Sequence, residues 1–241
     1  MNTDSHVITI SGLQIQVVRK AIKNLHLGVY PPAGRIRVAA PRAMSDDAVR
    51  RAVISKLGWI KRQRARFHVQ PRQSEREMVR GESHYFLGRR YRLHVVEHTG
   101  PAGVMLRNRI LELSVRPGLN AKARERALHQ WYRARLRELI PPLLAKWEAS
   151  IGVEVADWGI KKMKTKWGAC SAGSRRIWLN LELAKKPLRC LEYLIVHELV
   201  HFIERHHNDR FVSLMDRHLP DWRLRRDELN AAPLAHEHWG Y

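Results

Sequence analysis

Apolar and polar residues alternate in short runs over the N-terminal part of the chain: Val7–Ile10, Leu13–Arg19, Asn24–Tyr30 and Arg35–Ala39, separated by Ser11-Gly12 and Pro31-Pro32-Ala33-Gly34. A period of two, broken by glycine and proline, predicts strands of a small antiparallel sheet. The period then lengthens. Ser45 is placed to cap a helix running to about Phe67, with Asp46 and Asp47 in its first turn and basic residues toward its end, as the helix dipole prefers. The polar stretch 70–80 is the best linker candidate. Strand-like runs resume at His84–Leu87, Tyr91–Glu97, Gly103–Leu106 and Arg109–Val115.

From Asn120 to Ser150 a helical pattern passes through Ala127, Trp131, Leu136, Ile140 and Leu144, with a kink expected at Pro141-Pro142. Lys162–Trp167 and Arg176–Leu181 read as a β-hairpin around Ser171-Ala172-Gly173-Ser174. Leu191–Ile203 is apolar nearly all round, which marks a helix buried inside the protein. A last helix is expected over Trp222–Asn230, and no internal repeat is evident. The pattern predicts an α+β protein: an N-terminal antiparallel β-rich region with a basic helix (1–69), a linker (70–80), further strands (81–118), and a C-terminal domain (119–241) built on a central helix with a bordering β-hairpin.

Composition narrows the class. At 241 residues the chain can hold one large domain or two small ones. It opens without a basic segment followed by an apolar one, and no apolar run reaches the roughly 18 residues of a membrane span. Cys170 and Cys190 are the only cysteines, so no disulfide framework exists, and a cytoplasmic location is expected. The formal net charge of +21 favours nucleic acid, acidic proteins or other anionic partners. Basic residues cluster at Arg50, Arg51, Lys56, Lys61, Arg62, Arg64 and Arg66, and again at Lys161, Lys162, Lys164, Lys166, Arg175 and Arg176, with no acid between Trp158 and Leu181. A solvated basic helix explains the first cluster as well as phosphate contact does.

The strongest chemical signal is His197-Glu198-Leu199-Val200-His201. At 3.6 residues per turn, His197 and His201 project from one helix face, close enough to bind one ion, and Glu198 lies beside them. In H-E-x-x-H hydrolases the glutamate takes a proton from water that zinc has acidified to a pKa of about 7. Two imidazoles and a carboxylate in apolar surroundings need partners, and a shared metal supplies them. A third ligand is expected beyond the helix, where Glu204-Arg205-His206-His207-Asn208-Asp209 breaks the apolar pattern and Asn208 or Asp209 can cap a new helix. His207 is the choice. Glu204 is either an orienting partner of a ligand or a plain surface carboxylate. With three histidines, Cys170 is not required as a ligand. Lys164 and Lys166 are candidate substrate contacts or solvated lysines; Trp167 and Gly168 shape a cleft, or are a core tryptophan and a tight bend.

Lys166-Trp167-Gly168-Ala169-Cys170-Ser171, Trp178-Leu179-Asn180, Tyr193–His201 and Glu204–Phe211 together resemble the YgjP-like metallopeptidases, relatives of the SprT and WLM zincins. The resemblance is strongest over 161–230. It implies a gluzincin-like core with His197, His201 and His207 on zinc and Glu198 as base. The family pattern usually has Trp-Gly-Ser-Cys-Ser, and Ala169 replaces the middle serine. Three functions compete: a zinc peptidase acting on acidic or nucleic-acid-associated polypeptides, whose extended chain adds to the hairpin edge; a metal-dependent nucleoside triphosphate pyrophosphohydrolase, an activity attributed to YgjP-like proteins; and a nucleic-acid-binding module with structural zinc. Imidazole ligands favour zinc over the carboxylate-bound magnesium usual for nucleotides, and structural zinc sites are typically cysteine-rich.

Overall fold

In the computed structural model, residues 5–30, 34–69, 77–163 and 166–231 are described. The fold is α+β, and the chain divides into two compact units, one within Met1–Gln73 and the other within Ser74–Ala232. Most of the expected linker, and the substrate candidate Lys164, lie outside the described residues.

In the first unit, β1 (Ser5–Ile10), β2 (Leu13–Lys20), β3 (His26–Tyr30) and β4 (Arg35–Pro41) form one sheet in the order β1-β2-β4-β3. The sheet is mixed rather than antiparallel, because β4 runs parallel to β2 and β3 folds back on the far side of β4. Alternation sets the face each residue takes, whereas strand neighbours are chosen by longer-range packing. Ser11 and Gly12 both take positive φ, the backbone of a tight two-residue hairpin whose twist matches the strands. Ile8, Ile15, Val17, Ile36 and Val38 form a core with Val49 and Val53 of α1 (Asp46–Ile54) and Ile60 of α2 (Leu57–Val69). The single helix expected here is two. Its break falls where the Ser55 hydroxyl donates to the Ala52 carbonyl (2.9 Å), a local bond that competes with helix continuation.

The second unit begins with β5 (Ser83–Phe86), β6 (Arg89–Glu97), β7 (Gly103–Arg107) and β8 (Ile110–Val115), in the order β5-β6-β8-β7 with β6 and β8 parallel. This is the order and direction set of the first sheet. The first hairpin again turns on two residues of positive φ, Leu87-Gly88, and a helix again follows the fourth strand. Both helices are capped alike: Ser45 Oγ accepts from Ala48 N, and Asn120 Oδ1 accepts from Ala123 N. With the caps aligned, Ala48, Arg51 and Ala52 match Ala123, Arg126 and Ala127. An internal repeat of topology therefore exists where none was expected; an alternating pattern filled by different apolar residues hides it.

α3 (Ala121–Ile151) runs on through Pro141-Pro142 and buries Leu128, Tyr132, Leu136, Ile140, Leu144 and Trp147. These pack in one core with Leu93, Leu111 and Leu113 of the sheet and with Leu194, Ile195 and Leu199 of α4 (Leu188–Val200). The strands of 81–118 therefore belong to the same core as the C-terminal helices, and no boundary falls at 118–119. A second sheet, of β9 (Asp157–Lys161), β10 (Gly168–Ser171) and β11 (Arg176–Asn180), has the order β10-β11-β9. The hairpin is present with Gly168–Ser171 as its first strand; of the strand expected at Lys162–Trp167, Lys162, Met163, Lys166 and Trp167 are in no strand and 164–165 lie outside the described residues. Parallel pairing of β9 with β11 was not foreseen. A 3-10 turn (Leu181–Lys185) leads into α4, and α5 (Asp209–His218) and α6 (Trp222–Ala231) come after it. No helix among the described residues is long and apolar enough to cross a membrane.

Candidate metal centre

α4 carries the site because its sequence, Leu-Arg-Cys-Leu-Glu-Tyr-Leu-Ile-Val-His-Glu-Leu-Val, has no glycine and buries all of its aliphatic residues from Leu191 to Val200. The helix ends at Val200, three residues earlier than its apolar run. His201 is its C-cap, and Glu204 N bonds to the Val200 carbonyl (2.9 Å), so the chain turns back at once. The Glu204 carboxylate accepts from His206 N (3.0 Å), and Asn208 Oδ1 caps α5 through Phe211 N (3.0 Å). This tied turn returns His207 to the helix face.

The three imidazoles meet at Nε2. His197 and His201 are 3.2 Å apart there, His197 and His207 3.3 Å, and His201 and His207 3.1 Å. Tetrahedral zinc with Zn–N bonds of about 2.0–2.1 Å separates its ligand nitrogens by about 3.3 Å, so the triangle fits a single ion. The His201 ring is oriented by Nδ1 against the Glu204 backbone carbonyl (3.0 Å), which leaves Nε2 as the free lone pair. Glu204 thus supports the site through its main chain, while its carboxylate shapes the turn. Burial first, then His201 and His207, push His197 down to about 3 and keep it as the neutral imidazole a metal needs. Its Nδ1 is buried without a partner among the described residues. Phe211 packs against all three rings at 4.7–5.1 Å between centroids, a role that spacing in the chain does not single out.

Glu198 is 4 % exposed and lies against β10. A Cβ at Gly168 would stand 2.5 Å from Glu198 Oε1, so the missing side chain is what admits the carboxylate. Burial pushes Glu198 up to about 7, opposed by a hydrogen bond from the Cys170 thiol and by the charge of Lys166. Cys170 itself is raised to about 11 by burial and by Glu198. Its sulfur is not among the atoms that converge on the ion position. Lys166 is exposed beside the site, and Trp167 is half-buried against the core with Lys186 Nζ 5.3 Å above its ring. Arg205 adds a second cation near Cys170, one that no motif in the sequence marks.

A family model described as YgjP-like, metallopeptidase domain, matches residues 23–232. The chain belongs to the YgjP-like family. Neither the comparison with curated proteins nor that with solved structures finds a match. The match starts within the first unit and covers the whole candidate centre, so the resemblance carried by a few motifs extends to most of this YgjP-like chain. The family is one of metallopeptidases, and the histidine triangle is where a metal can sit. Glu198 is the carboxylate that the same helix buries beside that point.

Proposed function

We propose that the protein is a zinc-dependent peptidase with His197, His201 and His207 as ligands and Glu198 as general base. The carrying observation is the triangle of Nε2 atoms at 3.1–3.3 Å with a buried carboxylate one residue along the same helix. His197, His201 and His207 would hold the zinc, which when bound would supply Lewis acidity for water and the scissile carbonyl. Glu198 takes the proton of the attacking water and hands it to the leaving amine. Lys166 and Arg205 offer positive charge to the developing oxyanion or to acidic substrate side chains. β10, an edge strand in its sheet, offers main-chain groups to an extended polypeptide.

The net charge of +21 and exposed Lys161, Lys166 and Arg175 support acidic or nucleic-acid-associated polypeptides as substrates. Free Cys170 and Cys190 suit a reducing compartment such as the cytoplasm. The imidazole donor set favours zinc and peptide hydrolysis over magnesium-dependent cleavage of a nucleoside triphosphate. The test assays zinc-loaded protein in parallel on denatured polypeptides and nucleoside triphosphates, with Glu198→Gln and His197→Ala as controls. Polypeptide cleavage that Glu198→Gln abolishes while keeping its zinc, and that His197→Ala loses together with zinc, is the expected result. Cleavage of the triphosphates alone, or full activity in Glu198→Gln, overturns the proposal.

A further inference from the structure

The Trp178-Leu179-Asn180 motif has no part in the chemistry described so far. Asn180 ends β11 and is 4 % exposed. β9 and β10 flank β11: β9 ends at Lys161, which pairs with Asn180, and β10 begins at Gly168, which pairs with Leu179. Asn180 Nδ2 donates to the carbonyls of Met163 and Lys166, both at 2.8 Å. Its Oδ1 accepts from Met163 N at 3.3 Å and from Glu182 N at 3.2 Å. Its own N–H bonds to the Trp167 carbonyl at 2.8 Å. Two donors and two acceptor sites are the whole capacity of a carboxamide, and this arrangement also fixes which end is nitrogen. Backbone groups at Met163 and Lys166 that lie outside the sheet are met by this one side chain.

We propose that Asn180 is a positioning residue of the metal centre: its carboxamide clasps the backbone at Met163 and Lys166 and thereby holds the Lys166–Gly168 segment against Glu198. The proposal rests on Glu198 as general base. The clasped residues include Lys166, whose charge reaches Glu198, and Gly168, where a Cβ would collide with its carboxylate. The segment continues to Cys170, two residues on and on the same face of β10, whose thiol acts on Glu198. The ligand histidines lie on α4 and the turn after it, so the clasp acts on the base and not on the metal. No other side chain fills the place. Aspartate keeps the acceptors but has no donors for the two carbonyls, and leucine has neither.

The test compares zinc-loaded wild type with Asn180→Asp and Asn180→Ala in a Cys190→Ala background. Metal content, kcat and KM on a denatured polypeptide, and the rate of Cys170 alkylation by iodoacetamide are measured. Both variants are expected to keep stoichiometric zinc, to lose about 10–100-fold in kcat with little change in KM, and to alkylate faster at Cys170. Glu198→Gln calibrates the alkylation, since it too frees the thiol from the carboxylate. Unchanged kcat and unchanged alkylation in Asn180→Asp overturn the clasp, as does a loss of kcat that only tracks loss of zinc or of folded protein in both variants. Alkylation separates this proposal from the assigned activity: if wild type cleaves no polypeptide, the peptidase fails, while the thiol still reports whether Asn180 holds β10 to Glu198.

Discussion

At the scale of single residues, absent atoms matter as much as present ones. Gly168 touches nothing that glycine is usually said to provide for: its φ is not positive, and no turn requires it. It is glycine because the Glu198 carboxylate occupies the space of its Cβ. Gly168→Ala should therefore leave the three histidines and bound zinc intact and lower kcat at least tenfold, a loss of about 1.4 kcal/mol or more in transition-state stabilisation. Equal kcat in the two proteins, with metal content matched, would sink this account. His197, Glu198 and His201 were legible because helical spacing alone puts them together. His207 was legible as a residue type beyond a helix end, but its return depends on the Glu204 and Asn208 bonds, which the sequence does not display. Phe211, Arg205 and Asn180 gave weaker signals, since each acts through a contact distant in the chain or lies on a turn without periodicity.

At the scale of elements, a buried ionic group joins α3 to the 3-10 turn. Lys185 Nζ lies 2.9 and 2.7 Å from the two Glu182 oxygens, and His129 of α3 is nearby. Burial works to raise Glu182, but Lys185, His129 and Lys162 together hold the carboxyl below its ordinary range. Burial, then Lys162 and Lys185, push His129 down from 6.5 to about 4. A histidine depressed on folding binds its proton first in the unfolded chain, so stability falls as pH drops from about 6.5 to about 4. Glu182 adds its loss lower still, as pH falls through its depressed folded pKa. His129→Gln is expected to flatten the upper part of that slope in denaturant titrations of the full chain; an unaltered slope would show that His129 is not held neutral. Most strands and helices were legible as elements because periodicity is local. The misplaced hairpin strand shows the limit: alternation in Lys162–Trp167 fits a strand, yet Asn180 takes backbone groups of Met163 and Lys166 instead.

At the scale of the whole molecule, two hydrophobic cores are separate, and the histidine triangle belongs to one of them. A ligand that binds only folded protein stabilises by mass action, by about 4 kcal/mol at a thousandfold excess over Kd. Chelation is expected to reduce hydrogen-exchange protection in α4 and β11 while leaving β2 and β4 as they were. Equal loss in both sets of strands would show that the two cores open together. The repeated four-strand topology emerges only at this scale. Sequence by itself determined which residue types face inward, where most helices and strands form, and that two imidazoles and a carboxylate share one helix, because these depend on neighbours within a few positions. Tertiary structure decided which strands pair, that the two sheets repeat one plan, and that Gly168 and Asn180 frame Glu198. Those facts rest on contacts between distant segments, whose partners are selected by packing and by satisfaction of buried backbone groups and leave no period in the chain.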